Sequence, residues 1–280
     1  MTLELLARHD SLEVTRQRIA SGKLFYLDAA SDWEGFELIY VLRGELRLKS
    51  DDEEIVLHAG DFVHHHGLDE RALFHVEEEA ELLLVASPPS FHLMRDEMQD
   101  LLAISRSVED KDGATEEHCV RLERLALRTG ERLALTGDDL IALSNAAYLH
   151  DVGKVELPDG ILDKAGLLTD EERAEIKRHP EHGAKILEGR RELRSAAALV
   201  AAHHEWFNGE GYPNGLCGEE IPLGARIIAV VDAFDAMVTD RPYQPGVSVA
   251  DAREELRRAA GTQFDPTVVE AFLGVLDDAP

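Results

Sequence analysis

Through the first 90 residues, apolar and polar positions alternate with a period of two, broken by glycine and acidic turns. FELIYVLRGELRLK (36–49) carries two apolar, β-branched runs separated by Gly44, and GELRLKS alternates as a half-buried strand does. SDDEE (50–54) reads as a turn, and EIVLHAGDFVHHHG (54–67) as a strand, a Gly-Asp turn and a further strand. ALFHVEEEAELLLVASPP repeats the pattern until Pro88 and Pro89 stop it. Short strands with turns at a spacing of roughly eight to twelve residues predict a small all-β barrel or sandwich over residues 1–90. The period then changes. In FHLMRDEMQDLLAISRSV (91–108), Leu93, Met94, Leu101, Leu102 and Ile104 fall at helical spacing, which predicts a connecting helix within 91–112. EDKDG closes it, and residues 113–280 read as an all-α domain. Helices are expected over 118–135, 139–149, 193–204, 223–238, 248–260 and 266–276. Thr169 with Glu172 forms a capping box that opens a helix toward His179, and Asp265-Pro266 is a cap followed by a first-turn proline.

Composition fits two packed domains: 280 residues, 44% hydrophobic and 30% charged. No apolar run approaches the ~20 residues of a membrane helix, and MTLELLARHDSLEV carries acid early and lacks the basic start of a signal peptide. Only Cys119 and Cys217 are present, so no disulfide framework is implied. A cytoplasmic protein with no membrane partner is expected. The formal charge of -27 argues against binding long nucleic acid by neutralising phosphates. An anionic substrate would need a local positive source, and divalent metal is the strongest one available.

LHDVGK (149–154) places His150 and Asp151 at the end of the apolar run AAYL. Two such polar groups buried without a partner would be costly, and a metal ion supplies one. Further candidates in the helical half are His118, His179, His203, His204 and Asp232, each on or at the end of an expected helix. Imidazole with carboxylate suits Fe, Mn, Zn, Ni or Co better than the hard, oxygen-loving Mg or Ca. Seven ligands exceed one tetrahedral site. Two ions about 3.5–4 Å apart and bridged by a carboxylate use them more naturally. Taken singly, His118 also reads as a surface histidine and the 203–204 pair as a polar helix end.

Residues from about 115 to 276 resemble the HD-GYP family of HD phosphohydrolases. The strings that carry the resemblance are HCVR (118–121), HDVGK (150–154), PDGILDKAGLLTDEE (158–172), KRHPEHG (177–183), AAHHEWFNGEGYPNGLCGEEIPLGARIIAVVDAFDAM (201–237), TDRPY (239–243) and GTQFDP (261–266). The resemblance implies His118, His150, Asp151 and Asp232 as ligands shared with the wider superfamily. It implies His179, His203 and His204 as the additional ligands of a second divalent ion, Fe or Mn first among the candidates. Asp151 would bridge, Lys154 would reach the scissile phosphate, and Gly211, Tyr212 and Pro213 would form a loop beside the substrate. The implied activity is hydrolysis of cyclic di-GMP to pGpG or GMP by a metal-activated hydroxide. Alternatives are another cyclic dinucleotide or phosphate ester, or a nucleotide-binding module with little turnover. Where some members use a Glu for a third ion this chain has Ala114, so two ions are expected. Arg241 matches a substrate contact, whereas Gln244 stands where members often carry a second basic residue. Trp206 or Phe207 could stack on guanine.

Residues 36–86 resemble a cupin-like β-barrel through GELRLK and LHAGDFV, but without the usual His-x-His and Glu on one strand. Of His64, His65 and His66, only His64 and His66 can share a strand face, and exposed strand-end positions are expected for them. The front domain is expected to sense a small ligand or to dimerise, making the protein a homodimer.

Overall fold

The computed structural model describes residues 2–27, 35–49, 54–68, 71–92, 116–162, 164, 166–190, 193–240 and 245–278. Most of the expected connecting helix, the turn at 50–53, Ala114, Arg241 and Gln244 lie outside these residues. The chain divides into two compact units, Met1–Leu102 and Ala103–Pro280.

Nine strands are described in the first unit. Strands β1 (Thr2–His9), β2 (Leu12–Ile19), β9 (Ala80–Ser87), β4 (Phe36–Arg43) and β7 (Phe62–His65) form one antiparallel sheet in that order. Strands β3 (Lys23–Leu27), β8 (Ala72–Val76), β5 (Glu45–Lys49) and β6 (Glu54–His58) form the other. Alternation sets the faces: Ala80, Leu82, Leu84 and Ala86 of β9 are buried while the residues between them are not. Ile19, Ile39, Val41, Leu46, Phe74, Val76 and Leu82 make the core. Toward one end the buried positions of β2 turn polar, with Glu13, Thr15 and Gln17. A Glu13 carboxylate oxygen accepts from the amides of Ser90 and Phe91 at 2.6 and 2.5 Å. His64 and His66 are exposed with ring centroids 6.3 Å apart, whereas His65 departs from the exposed expectation. It lies on the opposite face of β7, 11% exposed, with Nε2 3.2 Å from Glu37.

The second unit is all-α: α1 (Glu116–Arg132), α2 (Gly137–Leu149), α3 (Asp170–Ile176), α4 (His179–Glu188), α5 (Arg194–Ala202), α6 (Leu223–Val238), α7 (Val249–Ala259) and α8 (Pro266–Asp277). Helix α1 packs on α2, α6 and α8, α2 on α5, and α5 on α4. Leu122, Leu143, Ile227 and Phe272 are fully buried at these contacts. Truncating one of them, Leu143→Ala for instance, would cost about 2–5 kcal/mol. The capping box at Thr169 is present, with Thr169 Oγ1 accepting from the Glu172 amide and Glu172 accepting from the Thr169 amide. The helix it opens does not run through to His179, however. It stops at Ile176, and α4 begins anew at His179. Pro180 has no amide hydrogen to give the Ile176 carbonyl, and its ring would collide with that carbonyl in a continuous helix.

Candidate metal centre

That break supplies the first ligand its orientation. The Ile176 carbonyl accepts from His179 Nδ1 at 2.8 Å. The same device recurs at two helix ends, where the last carbonyls lack intrahelical partners. His150, just past α2, donates Nδ1–H to Ala147 O at 3.0 Å. His203, just past α5, donates to Val200 O at 2.7 Å. With Nδ1 committed as donor, Nε2 is the nitrogen that each ring offers to a cation in the interior. His118, in the first turn of α1, is held by a side chain instead, with Nδ1 2.6 Å from Asp235 Oδ2. The Arg121 guanidinium grips the same carboxylate.

The ring nitrogens and carboxylates gather in two groups whose candidate ligand atoms lie within 4.8 Å of one another: Asp151, His179, His203 and His204, and His118, His150 and Asp232. Asp151 lies between them. Its Oδ1 is 3.2 Å from His179 Nε2, and its Oδ2 is 3.3 Å from His150 Nε2. Asp232 Oδ1 lies 3.8 Å from His118 Nε2 and 3.9 Å from His150 Nε2. Gly153 lets the 3-10 turn after Asp151 press against α4, since a Cβ there would collide with the His179 carbonyl and the Gly183 amide.

These residues fit divalent transition metal. His150 Nε2 is buried with no hydrogen-bond partner among the described residues. His179 Nε2 and His203 Nε2 face each other at 3.4 Å. Two imidazole lone pairs at that separation repel unless a cation lies between them, and the spacing suits ligands about 2.0–2.1 Å from one ion. The charges agree. Burial opposes protonation of His150, but Asp151 and Asp232 overcome it and lift its pKa to about 9. Burial also opposes ionisation of Asp151, yet His150 and Lys154 hold its pKa well below the usual value. Burial, and then the neighbouring rings, push His203 well below its usual value and His204 to about 3. Asp151 is therefore held ionised and His203 and His204 neutral, the states in which they act as metal ligands, while the proton that the two aspartates draw onto His150 marks a place where positive charge is favoured and which a bound cation would take over.

Lys154 donates to Asp151 Oδ2 at 2.7 Å, at the rim of the cluster. The loop after α5 carries Gly211, Tyr212 and Pro213. Gly211 must be glycine because a Cβ would strike the backbone of Glu205 and Trp206. The buried Glu205 carboxylate accepts from the amides of Asn214 and Leu216 at 2.6 and 3.1 Å, and the Tyr212 amide donates to His204 O. Tyr212 then stacks on His204 at 4.9 Å with Lys177 over its ring. A cavity of about 210 Å³ opens beside the cluster, lined by His203, His204, Asp232, Trp206 and Gln263 among others.

All seven expected ligands thus converge, and Lys154, Trp206 and the 211–213 loop surround them. Sequence reasoning missed Asp235, Arg121 and Glu205. Asp235 was legible as the residue one turn beyond Asp232 on the same helix face, and Glu205 as an acid beside two histidines.

A family model described as HD domain matches residues 99–268. A relative from Xanthomonas campestris pv. campestris, named cyclic di-GMP phosphodiesterase response regulator RpfG, is 40% identical over 179 residues, covering 63% of this chain and 47% of the relative. A Vibrio cholerae relative named 3'3'-cGAMP-specific phosphodiesterase 2 is 37% identical over 177 residues, covering 62% of this chain and 34% of the relative. A crystal structure of a cyclic GMP-AMP specific phosphodiesterase of V. cholerae shares the fold with a TM-score of 0.52 at 20% identity, over 64% of this chain and 48% of that one. The chain spans less than half the length of these relatives. Among the described residues, no helix is long and apolar enough to cross a membrane.

Proposed function

The chain belongs to the HD domain family, and from that premise we propose that its helical unit is a cytoplasmic, metal-dependent phosphodiesterase that opens cyclic di-GMP to pGpG or GMP. One observation carries the reading: the two oxygens of Asp151 divide between two histidine groups, beside a cavity that Trp206 helps to line. Two divalent ions, Fe or Mn, would be held by His118, His150 and Asp232 on one side and His179, His203 and His204 on the other, with Asp151 shared. Such ions supply Lewis acidity toward phosphoryl oxygens and lower the pKa of water.

The chain's own residues do the rest. The carbonyls of Ala147, Ile176 and Val200 fix three rings so that the ligand set needs no rearrangement when loaded. Asp235 does the same for His118. Lys154, whose ammonium lies against Asp151, would turn it to a phosphoryl oxygen as charge grows there. Glu205 holds the 211–213 loop beside the cavity, and Trp206 offers a face to a base. The substrate comes from the resemblance and from the printed names of the relatives. A related cyclic dinucleotide is the second reading, favoured by the cyclic GMP-AMP relative. For the front unit we propose a sensing or dimerisation role in a homodimer. Its buried polar end at Glu13, tied to Ser90 and Phe91 where the strands finish, supports the sensing half.

Anaerobically purified protein, loaded with Mn(II) or Fe(II) and incubated with cyclic di-GMP, is expected to yield pGpG or GMP on chromatography. Metal-loaded protein that leaves both cyclic di-GMP and 3'3'-cGAMP intact would overturn the hydrolase reading.

A further inference from the structure

The GTQFDP segment (261–266) reaches the site, yet the metal chemistry uses none of it. Its Gln263 lines the same cavity as Trp206 and the candidate ligands His203, His204 and Asp232. We infer that Gln263 is a specificity-determining residue: its carboxamide reads the edge of a purine whose face rests on Trp206. The inference rests on the cyclic-dinucleotide reading above.

Both residues are held from behind. The Phe207 amide donates to Gln263 O at 3.1 Å, and the Asn208 amide to Thr262 O at 2.9 Å, so the two loop segments are stitched together. The Gln263 amide returns to Ala259 O at 3.0 Å, and the Gly209 amide closes on Trp206 O at 2.8 Å. The backbone therefore fixes where both side chains start, which lowers the ordering cost of gripping a ligand. The Gln263 side chain, by contrast, makes no hydrogen bond to another described residue and is half-buried. A carboxamide offers two donor hydrogens and an acceptor oxygen. Trp206 stays 37% exposed beside it. A flat aromatic face next to an uncommitted donor–acceptor pair, within one cavity of a phosphate-directed metal cluster, matches a nucleotide: phosphate at the cluster, base on the indole, base edge at the amide.

The amide can pair with adenine through N6 and N7, or with guanine through O6 and N1–H. A carboxylate at the same place accepts only. It would suit the two adjacent guanine donors, N1–H and N2–H, and would repel an adenine ring nitrogen. Charge at residue 263 thus becomes a dial on base preference.

The test compares cyclic di-GMP, 3'3'-cGAMP and cyclic di-AMP on the metal-loaded full chain, as wild type, Gln263→Leu, Gln263→Glu and Trp206→Ala. Gln263→Leu is expected to raise KM about tenfold with kcat and bound metal nearly unchanged. Gln263→Glu is expected to raise the ratio of kcat/KM for cyclic di-GMP over cyclic di-AMP about tenfold, whatever happens to absolute rates. Trp206→Ala should weaken all three substrates by about tenfold or more. Unchanged KM in Gln263→Leu together with an unchanged ratio in Gln263→Glu, at normal metal content, would overturn the inference while leaving the hydrolase reading intact. If the wild type turns over none of the three, that reading fails. Equilibrium binding of the same nucleotides to the same variants then decides the inference by the same ratio, and no binding by the wild type overturns it.

Discussion

The two units carry nearly equal numbers of histidines, seven before residue 93 and six from residue 118 onward, but use them in opposite ways. In the β unit, His9 pairs with Asp10, His58 with Glu45 and His65 with Glu37, while His64 and His66 lie beside Phe36 on an exposed face. Each has a local partner, and no three of the described ones gather with acids into a group that could hold an ion. In the helical unit, five histidines from four separate regions of sequence converge with two aspartates. Histidine content therefore says little. Convergence from helix ends, with backbone carbonyls turning one nitrogen outward and leaving the other inward, separates a metal centre from scattered polar residues. A strand cannot copy this easily, because its carbonyls are committed to the sheet and its neighbouring side chains face opposite ways.

Three variants would break or sharpen the contrast. The largest effect is expected from Asp151→Asn, which weakens the one carboxylate that faces both groups. Turnover should fall on the order of a thousandfold or more, with bound metal reduced in elemental analysis. Full activity in that variant would remove Asp151 from the bridging role.

Asp235→Asn touches no proposed ion and acts through His118. Metal affinity or activity should drop about 10–100-fold with the fold retained, as read by metal titration alongside circular dichroism. The variant also has a pH consequence. Burial raises the Asp235 pKa, but the hydrogen bonds from Arg121 and His118 outweigh it and hold the group at about 2 against an ordinary 3.8. A depressed carboxyl stabilises the fold above its unfolded pKa and loses that contribution as pH falls through the folded one. Metal-free wild type should therefore lose stability between pH of about 4 and 2, and the Asn variant should show a shallower slope there. Parallel acid-denaturation curves would contradict this account.

The smallest effect is expected from His64→Ala with His66→Ala. Their rings lie 6.3 Å apart on an exposed face, so bound metal per chain should not change. Loss of an ion in that double variant would erase the distinction between the two units.

Much of this was legible in the sequence, for identifiable reasons. Period-two runs such as FELIYVLRGELRLK fixed β4 and β5, because one face of each strand is buried. Alternation also assigned His64 and His66 to one face. Helices α6 and α8 appeared within a residue of their expected ends, since Pro222 and Asp265-Pro266 mark their starts. The break between α3 and α4 was missed, because a capping box announces where a helix begins and not how far it runs. The candidate ligands were readable as residue types on or at the ends of helices, helped by the family resemblance, and the structure brings them together. Their supports were harder to read. Backbone carbonyls carry no sequence signal, and the partnership of Asp235 with His118 and Arg121 spans more than 110 positions.

The most direct test is where ions sit. A crystal of the full chain grown with Mn(II) and measured near the manganese edge should give two anomalous peaks flanking Asp151, one toward His118, His150 and Asp232 and the other toward His179, His203 and His204. Peaks elsewhere, or none within ligand distance of Asp151, would contradict the account.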